Sequence, residues 1–295
     1  MSCRKTAGIH AGRPPGLQAA TAVHDAHKIK GHAFVIVLSA RIEGIGFWAS
    51  GLPSWAAARA FAADGTLPQD VPRKPAPQLL APNERRRAPE SVAVALEVAL
   101  AACEDAGRDP KTLPSVFAST HGDLAITDYM CATLAIDPAE LSPTRFHNSV
   151  HNAAAGYWTI GTGCLAASTA LSAFDGSFAQ GLVEALAQLA DGAEAVLLAG
   201  YDTAASGALS SVWGSAGLLG GALVLGRGEA GPGLRLNAVL ADGEAAPMNG
   251  PLARHAGGNA MAPMLPLFDA LAANTREAIL HAGPGRILRI ALQHD

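Results

Sequence analysis

Ala167-Ser168-Thr169-Ala170-Leu171-Ser172-Ala173-Phe174 is a charge-free run of small, β-tolerant and apolar residues, followed at once by Asp175-Gly176-Ser177. The run fits a buried strand. Beyond it Phe178, Leu182, Leu186 and Leu189 recur at spacings of four, four and three, which lays one apolar stripe along a helix. Asp175 then stands near the N-cap of that helix, where a carboxylate accepts hydrogen bonds from first-turn amides and suits the positive end of the dipole. After the polar break Ala190-Asp191-Gly192-Ala193-Glu194, the segment Ala195-Val196-Leu197-Leu198-Ala199-Gly200 reads as a central parallel strand. The unit is strand, helix, strand, and it predicts an α/β fold with a parallel sheet.

Working outward, the coarse pattern continues in both directions. A strand is expected over residues 34–42 and a short helix over 53–63, followed by a proline-rich connector over 64–83. Val92, Val94, Leu96, Val98 and Leu100, mixed with alanines, predict a helix with two buried faces. A strand over 116–119, a helix over 125–134 and a helix start at Asp137-Pro138 complete the approach. Past the strand Ala222-Leu223-Val224-Leu225-Gly226, residues 234–240, 264–281 and 287–292 read as strand, helix and strand.

Several landmarks then share one register: Asn152-Ala153-Ala154-Ala155-Gly156, Gly163, Ser168 and the closing Ala193-Glu194-Ala195-Val196-Leu197-Leu198-Ala199-Gly200. Upstream lies Pro114-Ser115-Val116-Phe117-Ala118-Ser119-Thr120-His121-Gly122-Asp123-Leu124, a strand running into a glycine-bearing turn. As a set these resemble the N-terminal half of the β-ketoacyl synthases over about residues 34–227. The resemblance implies a thiolase-like layered α-β-α fold, mainly the N-terminal half of a ketosynthase. It implies a ketosynthase-like half-domain over 33–227 and a short completion over 228–295 in place of the second half-fold, while the basic, acid-poor composition of 1–32, with Pro14-Pro15, reads as a disordered extension.

In that register the family's nucleophilic cysteine falls on Asp175, and Cys164 stands eleven residues too early. A ketosynthase uses a thiolate at a helix N-terminus to accept an acyl chain as a thioester, and a carboxylate cannot form that bond. The two histidine motifs of the family's later half do not occur; His255, His281 and His294 stand in loop, helix-end and tail contexts instead. No catalytic residue is therefore assigned. The resemblance is nearest to chain length factors, the cysteine-less ketosynthase-like subunits of polyketide and aryl-polyene pathways.

That likeness implies a catalytic β-ketoacyl synthase as heterodimeric partner, with acyl chains delivered on the phosphopantetheine of an acyl carrier protein and no cofactor held by the chain itself. It places the partner interface on Ser168, Thr169, Ala170, Leu171, Ser172 and Ala173. It makes Ile126, Tyr129 and Met130 the bulky residues that set tunnel depth. Arg85-Arg86-Arg87 is the dense basic cluster suited to an acidic carrier. Two other readings stay open: an independent acyltransferase using Cys164 or a malonyl-carrier decarboxylase, and a scaffold that never touches substrate.

Composition sets bounds on all of these. A chain of 295 residues that is 49% hydrophobic can bury a sizeable core. Its 21 basic against 25 acidic residues give a net charge of −4, which argues against a nucleic-acid surface. Cys3, Cys103, Cys131 and Cys164 form no Cys-x-x-Cys pair, so neither a disulfide framework nor a metal site is expected, and a reducing cytoplasm is the simplest compartment. Residues 153–174 and 203–226 are uncharged and long enough to span a bilayer. Their Gly, Ala, Ser and Thr content argues for shorter water-soluble elements instead.

Overall fold

The computed structural model describes residues 36–228 and 234–293. The extension expected over 1–32 lies outside them, as do Cys3 and His294. The chain enters on β1 (Leu38–Ala49), followed by α1 (Trp55–Asp64), α2 (Pro82–Arg87) and α3 (Glu90–Ala106). The next elements are β2 (Ser115–Ala118), α4 (Leu124–Ile136), α5 (Pro143–Asn148) and α6 (Ala153–Thr162). The quoted segment forms β3 (Ser168–Leu171), α7 (Ser177–Ala190) and β4 (Ala195–Asp202), and β5 (Leu219–Gly226) follows. The chain closes with β6 (Leu234–Asp242), α8 (Pro251–Ala256), α9 (Leu265–Ala273), β7 (Glu277–Gly283) and β8 (Arg286–Gln293).

Among the described residues eight strands share one sheet in the order β3-β2-β4-β5-β1-β6-β8-β7. β3, β2 and β4 run parallel, and every later pairing is antiparallel. The side chains of β4 alternate between two cores. Val196 and Leu198 face α7, α8 and α9, whereas Leu197, Ala199 and Tyr201 face α3 and α6. The result is the expected layered α-β-α arrangement. All four stripe residues of α7, Phe178, Leu182, Leu186 and Leu189, are buried.

Helix α3 lies on the sheet through glycines. A Cβ built on Gly46 would overlap the Val98 carbonyl oxygen, and one on Gly44 would overlap the Ala102 carbonyl. β1 is bulged between Ile42 and Gly44. The side chain of Glu43 there is clamped by Arg41 Nη2 at 2.8 Å and by Arg108 Nε at 2.8 Å. Burial works against its charge, but the bonds to Arg108 and Arg41 outweigh it and hold the carboxyl below the usual range.

Three sequence expectations change. The run ending at Phe174 is not a buried strand: only Ser168–Leu171 pairs, with β2 alone, so β3 is a half-exposed edge. β1 runs on to Ala49 through a glycine-rich stretch whose glycines serve packing. The helix expected over 264–281 stops at Ala273 because Asn274 takes the left-handed conformation, at φ 53°. β7 and β8 then form a hairpin, its turn carried by Gly283 and Gly285 at positive φ. His281 consequently sits on a strand, and His255 on α8. Among the described residues no helix is long and apolar enough to cross a membrane.

Candidate functional site

The turn between β3 and α7 stands at the carboxyl ends of the parallel strands, where open α/β sheets place their binding crevices. Ser177 shapes it: its Oγ donates to the Phe174 carbonyl at 2.6 Å and accepts from the Ala173 amide at 2.9 Å. Phe174 is thereby held at φ 50°, a conformation that L residues with bulky side chains avoid. It is also 69% exposed. Asp175, the next residue, is exposed and caps nothing; the N-cap of α7 is Gly176, with no side-chain bond. The helix start is closed by Ser177 and by packing of Gly176 against the backbone of Ala282 and Gly283.

Cys164 is far from this chemistry in the fold. It precedes β3, at the amino ends of the parallel strands, and its thiol is buried within 3.5 Å of the Leu113 carbonyl. Burial pushes the Cys103 thiol up to about 12, with Glu104 and Asp109 adding to the effect. Cys131 is exposed on α4. Among the described residues there is no cluster of His, Cys, Asp and Glu able to hold a metal ion.

Behind the turn lies a buried polar group that the sequence reading did not single out. Asp202 ends β4, and its carboxylate accepts from Ser119 Oγ at 2.6 Å and from the Thr120 amide at 2.9 Å. His121 Nδ1 lies 3.7 Å from that carboxylate and 3.1 Å from the Gly122 carbonyl. His121 Nε2 is buried with no hydrogen-bond partner among the described residues, and His151 Nε2 lies 3.1 Å from the Ser119 carbonyl. Burial pushes the Asp202 carboxyl up, against the opposing pull of His121 and the bonds from Ser119 and Thr120. Asn259 Nδ2 donates to the Asp202 carbonyl at 3.2 Å, and Ser172 Oγ donates to the Thr120 carbonyl at 2.8 Å. The network locks the ends of β2, β3 and β4 together beneath the turn. Its one visible signal in the sequence is an acid closing an otherwise uncharged strand.

The remaining expected residues fall on two surfaces. Ser168, Thr169, Ala170 and Leu171 form the edge strand, with Ser172 and Ala173 leading into the turn; the outer side of β3 has no partner strand among the described residues. Flanking it are Leu165, at 99% exposure, Ile160 and Phe174. α4 is apolar around most of its circumference, yet only Leu124 in it is buried. Ile126, Tyr129 and Met130 are all half-buried on that helix, and Leu134 and Ile136 are exposed.

Arg85 is tied down by its bond to the Leu80 carbonyl at 2.9 Å, so Arg86 and Arg87 are the exposed members of the basic cluster. Arg87 and Ile126 meet at one cavity of about 420 Å³, whose wall also includes Ala125 and Arg145. Arg145 stacks on Tyr129, 3.9 Å from the ring centroid.

Comparison with known proteins agrees with this architecture. No curated protein matches the sequence. Among solved structures, a chain in the complex of a ketosynthase, ApeO, with its chain length factor, ApeC, from Xenorhabdus doucetiae superposes with a TM-score of 0.68 at 22% identity, covering 86% of this chain and 99% of that one. The ishigamide ketosynthase/chain length factor matches with a TM-score of 0.64 at 17% identity, over 87% of this chain and 99% of its own. A type II polyketide synthase acyl-carrier protein in complex with its ketosynthase bound to the hexaketide gives a TM-score of 0.68 at 12% identity, over 88% and 100%. At such identities the likeness establishes the thiolase-like fold and leaves function to the residues. The model of the β-ketoacyl synthase N-terminal domain matches residues 54–281, most of the chain, and the protein belongs to the β-ketoacyl synthase family.

Proposed function

We propose that the chain is a non-catalytic, chain-length-factor-like subunit that pairs with an active β-ketoacyl synthase and forms part of the wall of its acyl tunnel. The observation that carries this reading is the turn after β3. It presents Phe174, strained and exposed, and Asp175, exposed, where thioester formation needs a thiol. The open edge of β3 and the bare apolar surface of α4 are liabilities in a lone chain, and a partner strand and helix would cover both. In this reading Ile126, Tyr129 and Met130 line the shared tunnel, the strand from Ser168 to Leu171 extends across the interface, and Arg86 and Arg87 meet an acidic carrier protein whose phosphopantetheine bears the acyl chain.

Native mass after co-expression with a candidate ketosynthase, followed by intact-mass analysis of both chains after exposure to an acyl-carrier substrate, tests the proposal. The expected result is a one-to-one complex acylated on the partner alone. Uptake of acyl groups on Cys164 of this chain by itself would overturn it. Within such a complex Ala125→Phe is expected to shorten the product; an unchanged product length would mean a scaffold that does not touch substrate.

A further inference from the structure

The sheet ends in a second open edge, at the other end of the strand order from β3. β7 has β8 on one side and no strand on the other among the described residues. One bond fixes which way its main chain faces. The Leu292 amide donates to the Arg276 carbonyl at 2.8 Å, which makes Arg276 and Leu292 a hydrogen-bonded pair of the ladder. Alternation then turns the N–H and C=O groups of Ala278 and Leu280 toward β8 and those of Glu277, Ile279 and His281 toward the free edge. The amides of these three bond no other element among the described residues. Only the far end is closed, where Gln180 Nε2 donates to the Ala282 carbonyl at 2.6 Å.

Edge strands are commonly guarded by lysine, by proline or by a bulge that turns them away. Residues 277–281 carry none of these, and the bulge of β7 comes after them, between His281 and Gly283. Ala278, Leu280 and Ala282 point into the core beneath, while Glu277, Ile279 and His281 share the opposite face. A groove of about 460 Å³ lies beside Glu277, Ala278 and Ile279, walled by Pro247, Met248, Pro266 and Ala270. It leaves room along the edge, and its apolar walls favour a cover that removes them from water.

We infer that β7 pairs antiparallel with β7 of a second copy of this chain, about a two-fold axis at Ile279. The strand is complementary to itself in that register. Ile279 faces Ile279, and each Glu277 faces the His281 of the other copy, a carboxylate opposite an imidazole that can donate to it. The outward main-chain groups of all three residues then form hydrogen-bonded pairs, about six bonds in total. Other registers are worse: an axis at Glu277 opposes two carboxylates, and an axis at His281 runs the ladder into the bulge. Arg289 lies opposite Ile279 on β8, so the two copies of Arg289 stand three strand spacings apart, about 14 Å, beyond the screening length at physiological salt. The two-fold closes the edge and leaves no further strand to recruit. This pairing is separate from any partner of β3 and is tested on the chain alone.

Sedimentation or native mass of the full chain, with cysteine cross-linking, tests the inference. The expected result is a dimer that Ile279→Lys weakens at least tenfold, because it sets two ammonium groups face to face on the axis. Ile279→Cys is expected to cross-link the dimer on mild oxidation with diamide, since facing Cα atoms of such a pair lie about 5.5 Å apart, within disulfide reach. Glu277→Cys alone is expected not to, because its own counterpart lies four residues away, about 13 Å, whereas Glu277→Cys combined with His281→Cys does. Wild-type protein under the same oxidation controls for the native thiols. The cysteine variants keep the test valid if Ile279→Lys folds poorly. A chain that stays monomeric and leaves Ile279→Cys uncross-linked overturns the pairing. So does a dimer indifferent to Ile279→Lys, or one that Glu277→Cys cross-links as readily as Ile279→Cys.

Discussion

At the scale of single residues the molecule is most informative where it is least comfortable. Phe174 combines a left-handed backbone, an aromatic side chain and exposure to solvent, and each of these is unfavourable for a free chain. Glycine would relieve the backbone, so Phe174→Gly is expected to stabilise the isolated chain by about 1 kcal/mol, seen as a higher urea midpoint. The same change removes an apolar anchor and is expected to weaken pairing with a ketosynthase at least tenfold by sedimentation or native mass. Gains in both properties would mean that Phe174 belongs to no interface. The sequence placed a carboxylate at the start of α7 and assigned it a capping role. The structure assigns that closure to Ser177, because the hydroxyl reaches both the Ala173 amide and the Phe174 carbonyl while Asp175 points into solvent. No pattern of residue types distinguishes those two outcomes; the geometry of the turn does.

At the scale of elements, what periodicity could show was legible. The stripe of α7, the buried β4 and the two-sided α3 follow from spacing alone. The length of β1 did not, since glycine reads as a breaker in a strand, yet Gly44 and Gly46 are there to let the backbone of α3 approach. Gly46→Ala should therefore cost roughly 3 kcal/mol or more, because the obstacle is the Val98 carbonyl and not a side chain that can turn away. A fall in Tm on the order of 10 °C is the expected reading. Gly156, on α6, is the contrasting case: a Cβ there meets nothing within 4 Å, and Gly156→Ala is expected to stabilise by about 0.5–1 kcal/mol. The C-terminal hairpin is hidden from periodicity because the apolar pattern of residues 264–281 is that of one helix. Gly283-Pro284-Gly285 was its available signal.

At the scale of the whole molecule, buried carboxyls of opposite behaviour fix how stability varies with pH. Burial pushes Asp202 up, and it also raises Asp269 and Glu97 despite hydrogen bonds that favour their charged forms. A folded state that holds these protons to higher pH than the unfolded chain is favoured below the ordinary carboxyl pKa of about 4 and loses that advantage as pH rises through the raised values. Glu43 has the opposite sign: its arginine clamp contributes above about 4.3 and is lost as pH falls through its lowered value. Stability is therefore expected to be greater at about pH 5 than at about pH 7.5, and to fall again in stronger acid. Urea midpoints across that range measure it. Asp202→Asn mimics the protonated acid, so it should flatten the slope between the two values while Glu43→Gln removes the acid-side fall. A wild-type midpoint that climbs from pH 5 to pH 7.5 would mean that the folded state does not hold the protons of Asp202, Asp269 and Glu97 more tightly than the unfolded chain does.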